Sequence, residues 1–184
     1  MKVRKLWISF LLISAFLLSA SFALADITTL VIDGITGPDR DPRGNECIML
    51  YGLGFNVNNT LGMPTGGGGG AARAEFQPIQ ALKRLDVTSP KLFIWVANGS
   101  HIPEATIKFW KIVDNEYISY FSIKLRDVSI ASMSTTGGQG QEALLELISL
   151  SFSRIELTAT PIGADGKPGA EIVTSWDLET NQEL

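Results

Sequence analysis

Residues 117–130 read YISYFSIKLRDVSI, and this stretch decides the fold because its apolar side changes part-way along. Apolar side chains stand mainly at odd positions as far as Leu125, and then at the even positions Val128 and Ile130. Strands have a period of two, so a strand whose buried side switches needs a bulge or a sharp bend. Residues 148–159, ISLSFSRIELTA, change phase in the same way. Bends of this kind curl a sheet, which predicts a compact β-barrel or sandwich.

Three further segments alternate with a period of two and are expected to be strands with one face in the core: residues 47–57, 107–113 and 172–178. In the first of them, the odd-numbered side chains from Cys47 to Val57 are placed together on one face. Asp114-Asn115 predicts a tight hairpin turn, and residues 165–169, DGKPG, predict a second turn.

Helix is scarce in this sequence. Ser89-Pro90 combines a capping residue with a proline at the first helical position, and Gly99 marks an end. Leu92, Trp95 and Val96 recur between them at helical spacing, which predicts one short helix. The apolar stretch 79–85 is compatible with strand or helix, since periodicity alone does not decide between them.

The first 25 residues are interpreted as a signal peptide that is not part of the fold. A basic start is followed by an apolar run from Leu6 to Leu18 and by an Ala-x-Ala exit at residues 23–25. The run is short for a spanning helix, although an uncleaved membrane anchor is the alternative. Cleavage after Ala25 leaves residues 26–184 as one domain, secreted or periplasmic, without stable insertion in a membrane.

Charge and cysteine content exclude some classes of function. The 19 acidic residues outnumber 15 basic ones, three of which lie in the leader, and no basic cluster is present. Nucleic acid is therefore not expected as a partner, because phosphate binding needs concentrated Lys and Arg. The single Cys47 rules out an internal disulfide, and we expect it to be a small buried apolar residue.

No catalytic, cofactor-binding or metal-binding site is predicted, and we expect the protein not to be an enzyme. His101 is the only histidine, and it is expected to have a structural or interfacial role. Residues 39–44, DRDPRG, lack the acidic residues of a calcium loop and are interpreted as a solvated turn. Carboxylates are scattered singly, and no pair of them suggests an acid and a base. Examples are Glu75, Asp86, Asp114 and Glu142.

Five consecutive glycines form the most unusual motif in the chain: Gly66, Gly67, Gly68, Gly69 and Gly70. The context of a dinucleotide fingerprint is missing, because a proline precedes the run and no Lys-Ser/Thr follows it. Glycine costs the most backbone entropy to order, so we interpret the run as a mobile loop. Such a loop can become ordered when a neighbouring subunit supplies contacts.

Five segments in order along the chain resemble the haemolysin-coregulated protein family, Hcp, the ring-forming tube proteins of bacterial type VI secretion. They are the glycine loop in 63–74, the helix and following strand in 89–92 and 97–105, the strand and glycine loop in 125–138, the next strand in 146–155, and Trp176-Asp177. The resemblance extends from Leu30 to Trp176. It implies a β-barrel of two sheets with one helix at its side.

The resemblance also implies a function in assembly. Six copies are expected to form a homohexameric ring, and stacked rings a tube that carries effector proteins alongside other type VI secretion components. It implies no active site, and Gly66–Gly70 become the expected subunit or ring contact. The leader departs from the family pattern, because members are usually made without one. It indicates either an exported bacterial variant or a true start later in the chain, near Leu24.

Two other functions stay open at this point. One is a periplasmic or secreted module that binds a peptide or glycan on the same barrel without stacking. The other is an enzyme in which two carboxylates or His101 converge in a pocket. The distribution of exposed aromatic side chains separates a binding module from a ring, because ligand grooves concentrate them.

Overall fold

The computed structural model describes residues 26–60, 73–138 and 143–184, which form twelve strands and one helix. The strands are β1 (Ile27–Ile32), β2 (Asp39–Arg40), β3 (Glu46–Gly54), β4 (Val57–Thr60), β5 (Arg73–Phe76), β6 (Ile79–Arg84), β7 (His101–Val113), β8 (Glu116–Thr136), β9 (Leu145–Ser151), β10 (Arg154–Ala159), β11 (Ile172–Asp177) and β12 (Gln182–Glu183); the helix is α1 (Ser89–Asn98).

Six antiparallel strands close the predicted barrel in the order β7-β1-β3-β6-β9-β8, and β8 pairs again with β7. On the other side of β8, strands β10, β11 and β12 continue as a sheet, while β4 and β5 form a separate two-stranded sheet. The expected mainly β fold, a barrel with a short helix, is confirmed. Its core is built from inward-facing aliphatic side chains of all six barrel strands and from Leu92 of α1.

The predicted bend in β8 lies at Asp127, whose φ is 53°. Before it, residues 121–126 pair with β10; after it, residues 129–136 pair with β9. Leu125 and Val128 are both fully buried, so the inward side switches across this residue. Pro103 of β7 stands opposite Asp127 in the register and has no N–H to donate. One long strand thereby serves both the barrel and the outer sheet.

The second predicted phase change, in residues 148–159, is a corner between two strands. β9 ends at Ser151 and β10 begins at Arg154. Ile148 is fully buried in the barrel and Ile155 is 4% exposed beyond the corner. The prediction of a switch in buried side is confirmed.

The predicted buried face of residues 47–57 is wrong. The inward-facing residues of β3 are Ile48 and Leu50, whereas Tyr51 is 54% exposed. Tyr51 is the extra residue of a bulge, since Leu50 lies opposite Lys83 and Gly52 opposite Leu82. Strand β3 also ends at Gly54, and Val57 already belongs to the next strand. Because apolar residues occupy both faces of this strand, the alternation in the sequence does not identify the residues that face inward.

The predicted helix and turns are confirmed. Helix α1 ends at Gly99, whose φ of 66° places it in the left-handed conformation. The alternative left open for residues 79–85 is decided in favour of strand β6. Asp114 and Asn115 have φ of 51° and 65°, which fits the tight turn between β7 and β8. In the described residues, no helix is long and apolar enough to cross a bilayer.

A buried ion pair joins β6, β9 and the start of α1. Lys83 and Glu146 stand opposite each other across the two strands, with 2.8 Å between Nζ and Oε2. Their side chains are 0% and 1% exposed. The ammonium also contacts Asp86 Oδ2 at 3.1 Å, and Ser89 Oγ donates to Glu146 Oε2 at 2.5 Å. The buried ion pair therefore holds the first turn of the helix in place at this end of the barrel.

Candidate assembly surface

Large apolar side chains are exposed on several separate elements of the described structure rather than in one place. They belong to β3 and its continuation (Tyr51, Phe55, Val57), to α1 and the turn before it (Val87, Phe93, Ile94), to β8 (Tyr117) and to β11 (Ile172, Val173). Single exposed apolar residues are normal, but clusters of them on one element mark contact surfaces.

The outer side of α1 is the first such surface. Phe93 is 61% exposed and Ile94 is 53% exposed, and Val87, just before the helix, is 77% exposed. The opposite side of the helix is anchored in the core by Leu92. A helix on a fully solvated surface carries polar residues on its outer side, so this helix is suited to packing against another protein surface.

The outer edge of β11 is the second surface. Strand β12 pairs only with Trp176 and Asp177, and one further hydrogen bond joins Leu184 N to Ser175 O. In the ranges that the structure describes, no strand pairs with this edge at Ile172 and Val173, which are 64% and 54% exposed. An open, β-branched edge is a template for strand pairing with a second chain.

A groove of about 230 Å³ between the β4–β5 sheet and strands β10 and β11 is the third surface. Phe55, Phe76, Leu157 and Trp176 are among the side chains that line it. The indole N–H of Trp176 is buried and has no hydrogen-bond partner among the described residues. The groove can accept an apolar side chain.

The glycine run Gly66–Gly70 lies outside the described residues. In the sequence it falls between β4 and β5, the two strands beside the apolar groove. The contact assigned to these glycines stays a prediction.

The other residues singled out in the sequence do not converge on one site. The His101 side chain is 66% exposed and its Nε2 lies 3.2 Å from Asp127 Oδ1. Glu75 is on β5, Asp86 borders the buried ion pair, Asp114 forms a hairpin turn, and Glu142 lies outside the described residues. No group of three or more potential metal ligands occurs in the described parts of the chain.

The turn at residues 39–44 differs from the solvated turn that we expected. Asp41 is 6% exposed, and its Oδ1 accepts hydrogen bonds from the backbone N–H groups of Arg43 and Asn45 at 2.9 Å. Burial raises the pKa of Asp41, but these bonds, those from the Asn45 side chain and the charge of Lys108 outweigh it, so the pKa is lowered. The Asp41 carboxylate therefore stabilises this turn by accepting hydrogen bonds from its backbone.

The environment of Cys47 agrees with its expected role as a buried apolar residue. The residue is 1% exposed. Burial, with smaller contributions from Asp41 and Asp39, raises the pKa of the thiol to about 11. The thiol is therefore protonated at neutral pH and is not activated as a nucleophile.

Comparison with known proteins gives one family. The model of the family described as "Type VI secretion system effector, Hcp" matches residues 29–158. Protein hcp1 of Pseudomonas aeruginosa is 28% identical over 110 residues, which are 59% of this chain and 68% of that protein. The crystal structure of Hcp1 from Salmonella typhimurium is 26% identical, with a TM-score of 0.70 over 88% of this chain and 100% of that one. A structure described as a type six secretion system protein has a TM-score of 0.79 at 21% identity, over 87% of this chain and 100% of that one.

Proposed function

This chain belongs to the Hcp family of type VI secretion system effectors, and from that premise we propose that six copies of it close into a ring and that the rings stack. It has the role of the family, a tube component and effector carrier of type VI secretion. The observation that carries this function is the family match over residues 29–158, which runs from β1 to β10 and so includes residues of all six barrel strands. That structural role fits the expectation that the chain does not catalyse a reaction.

The exposed surfaces support assembly. A closed ring uses two different surfaces of each subunit, because its contacts are heterologous. The outer side of α1 and the open edge of β11 are different elements, and both expose apolar residues. Of the exposed aromatic residues Tyr51, Phe55, Phe93 and Tyr117, only Phe55 lines the apolar groove. This distribution supports a ring rather than a barrel that binds a ligand by itself.

The test of the ring is the mass of the protein by light scattering, with negative-stain imaging of the same peak. We expect a mass near six times that of the chain and ring-shaped particles, with columns of rings where stacking occurs. Ile94→Glu and Val173→Glu place a charge on the two surfaces and are each expected to shift the mass toward the monomer. Thr180→Glu, at an exposed turn after β11, is the control and should keep the wild-type mass. A wild-type monomer at high concentration contradicts the proposal.

The glycine run Gly66–Gly70 is proposed as one of the contacts between subunits or rings. Its composition supports the proposal, since five glycines are costly to order without contacts from a second chain. Deleting Gly67–Gly69 is expected to weaken the ring or its stacking while the far-ultraviolet circular dichroism stays that of a β protein. An unchanged assembly would contradict this role.

Proteins of this family are secreted through the type VI system; we propose in addition that residues 1–25 are removed and that residues 26–184 are the exported domain. The order of basic, apolar and small residues in the leader supports this proposal. Mass spectrometry of the protein recovered from the cell envelope of the expressing bacterium should give Asp26 as the first residue. An intact leader on a cytoplasmic protein would contradict it.

A further inference from the structure

A polar groove of about 400 Å³ lies on the outer face of the sheet formed by β7, β8 and β10. The turn that contains Arg43 and the loop between β10 and β11 border it. Its lining consists mainly of cationic and hydroxyl-bearing side chains: Arg43, Lys108, Ser119, Ser122, Thr158 and Thr160. This groove has the size of a site for a small molecule, and the assembly surfaces described above do not include it.

Two cations meet in this groove over one aromatic ring. The Arg43 guanidinium carbon is 5.5 Å, and Lys108 Nζ 5.8 Å, from the centroid of the Trp110 ring, so the two charges are within about 11 Å of each other. Trp110 is fully buried and its Nε1 donates to Thr29 Oγ1 at 3.0 Å, which fixes the ring. The ring that both cations approach is therefore held in place.

Neither cation forms a salt bridge with a carboxylate in the described structure. The salt bridges there do not include Arg43 or Lys108. Asp41 is close enough to interact electrostatically with Lys108, but its oxygens already accept several hydrogen bonds within its own turn. Glu171 lines the groove and is exposed to solvent. Two cations within about 11 Å of each other give the groove a positive potential, which favours a bound anion.

The hydroxyl groups of the groove are also without partners. Among the described residues, no side-chain hydrogen bond involves Ser119, Ser122, Thr158 or Thr160, although the pairing of β7, β8 and β10 places them side by side. Elsewhere on the same sheet, Arg126 pairs with Glu104 and Lys124 with Glu156. Donors and acceptors that face a cavity without protein partners are available to a hydroxylated ligand.

We propose that the groove between Arg43 and Lys108 binds a phosphate-bearing polyol. A phosphate monoester carries a charge of about −1.5 to −2 at neutral pH, which matches the two cations. The guanidinium of Arg43 presents parallel N–H groups to two phosphate oxygens, and Lys108 adds a second point charge. The four hydroxyl groups then pair with those of the polyol. Free polyol phosphates and the headgroup of an anionic phospholipid share this chemistry.

Calorimetric titration of the assembled protein with glycerol 3-phosphate tests the proposal. We expect a Kd on the order of 1 mM or tighter, and no heat of binding with glycerol. Arg43→Gln and Lys108→Gln should each weaken binding about tenfold, because each removes one charge-assisted contact. Lys111→Gln is the matched control. Lys111 is on the same strand, and its Nζ lies 5.4 Å from the centroid of the Tyr120 ring, but it does not line the groove.

A second titration identifies the source of the phosphate. Binding to phosphatidylglycerol vesicles, but not to phosphatidylcholine vesicles, with loss in Lys108→Gln, assigns the groove to a lipid headgroup. Binding of glycerol 3-phosphate alone assigns it to a free metabolite. The proposal is overturned if neither binds, or if Arg43→Gln and Lys108→Gln bind as the wild type does. It is also overturned if these two variants lose the assembled mass, because the groove is then a subunit contact.

Discussion

Replacing Lys83 by methionine is the most informative test of how the barrel end is held together. Lys83 Nζ lies within 3.1 Å of four oxygen atoms, which belong to Arg84, Asp86, Ser89 and Glu146. Lys83→Met keeps much of the side-chain volume but leaves Glu146, 1% exposed, as an unpaired buried carboxylate. Removing one partner of a buried ion pair costs about 3–5 kcal/mol, because the other charge stays desolvated. The free energy of unfolding should fall by this amount.

Urea unfolding followed by circular dichroism measures the change, with all variants at one chain concentration because assembly stabilises the folded state by mass action. For a chain of this size, the loss corresponds to a decrease in Tm of roughly 6–20 °C. The double variant Lys83→Met, Glu146→Leu removes both charges and should recover most of the stability, because a well-packed apolar pair replaces a buried ion pair at little cost.

Lys124→Gln is the matched control for this experiment. Lys124 Nζ lies 3.8 Å from Glu156 Oε1, and both side chains are more than one-third exposed. A pair of this kind contributes less than about 1 kcal/mol. The reasoning is refuted if Lys83→Met costs no more than Lys124→Gln, or if the double variant is as unstable as the single one.

Four further predictions concern packing, hydrogen bonding and ionisation. Trp110→Phe should lower the unfolding free energy more than Trp176→Phe, by about 1 kcal/mol, because only the Trp110 indole N–H has a partner in the described structure. Gly37→Ala should lower the free energy of unfolding, measured with urea, by about 1–3 kcal/mol, because the new Cβ would overlap the backbone oxygen of Cys47. The Cys47 thiol, whose pKa burial raises to about 11, should react with iodoacetamide at pH 8 only after unfolding. Hydrogen bonds from the Thr180 backbone and from Arg154 lower the pKa of Asp177. The stability that this carboxylate contributes is therefore present above pH about 4 and is lost as the pH falls below that value. Asp177→Asn should flatten the dependence of Tm on pH in this acidic range.

A control variant and the contradicting outcomes are specific to each of these predictions. Gly138→Ala has open space around the new Cβ and should leave stability unchanged. Equal losses in the two tryptophan variants would contradict the hydrogen-bond argument. Fast alkylation of the folded protein would show that Cys47 is accessible. An unchanged acid dependence in Asp177→Asn would show that this carboxylate is not held by its partners.

The incorrect prediction for strand β3 shows that a sequence pattern does not always determine which face of a strand is buried. Residues 47–50 are apolar at every position, so alternation does not say which side faces inward. The answer depends on pairing with β1 and β6, and on Tyr51, which the register of β6 leaves as an extra residue. In β8 the apolar side changes visibly in the sequence, and there the bend was predicted from the residues alone.

The groove of Arg43 and Lys108 carried no signal in the sequence, because its residues come from five separated segments that only the tertiary fold brings together. The ion pair of Lys83 and Glu146 carried a weak one. Lys83 continues the inward positions of Ile79 and Ala81, and Glu146 precedes Ile148 in the same phase. A charge at an inward position on each of two strands requires a buried partner.

The sequence by itself determined the main strand segments, the helix between Ser89 and Gly99, the tight turns and the membership in a family, because these depend on local periodicity and on short motifs. The strand segments are 47–57, 107–113, 117–130, 148–159 and 172–178. Only the tertiary structure decided which strands close the barrel, which face of β3 is buried, how Lys83 finds Glu146, and where unpaired cations and hydroxyl groups gather. Those features depend on register between residues far apart in the chain. A pattern with a period of two does not contain that register.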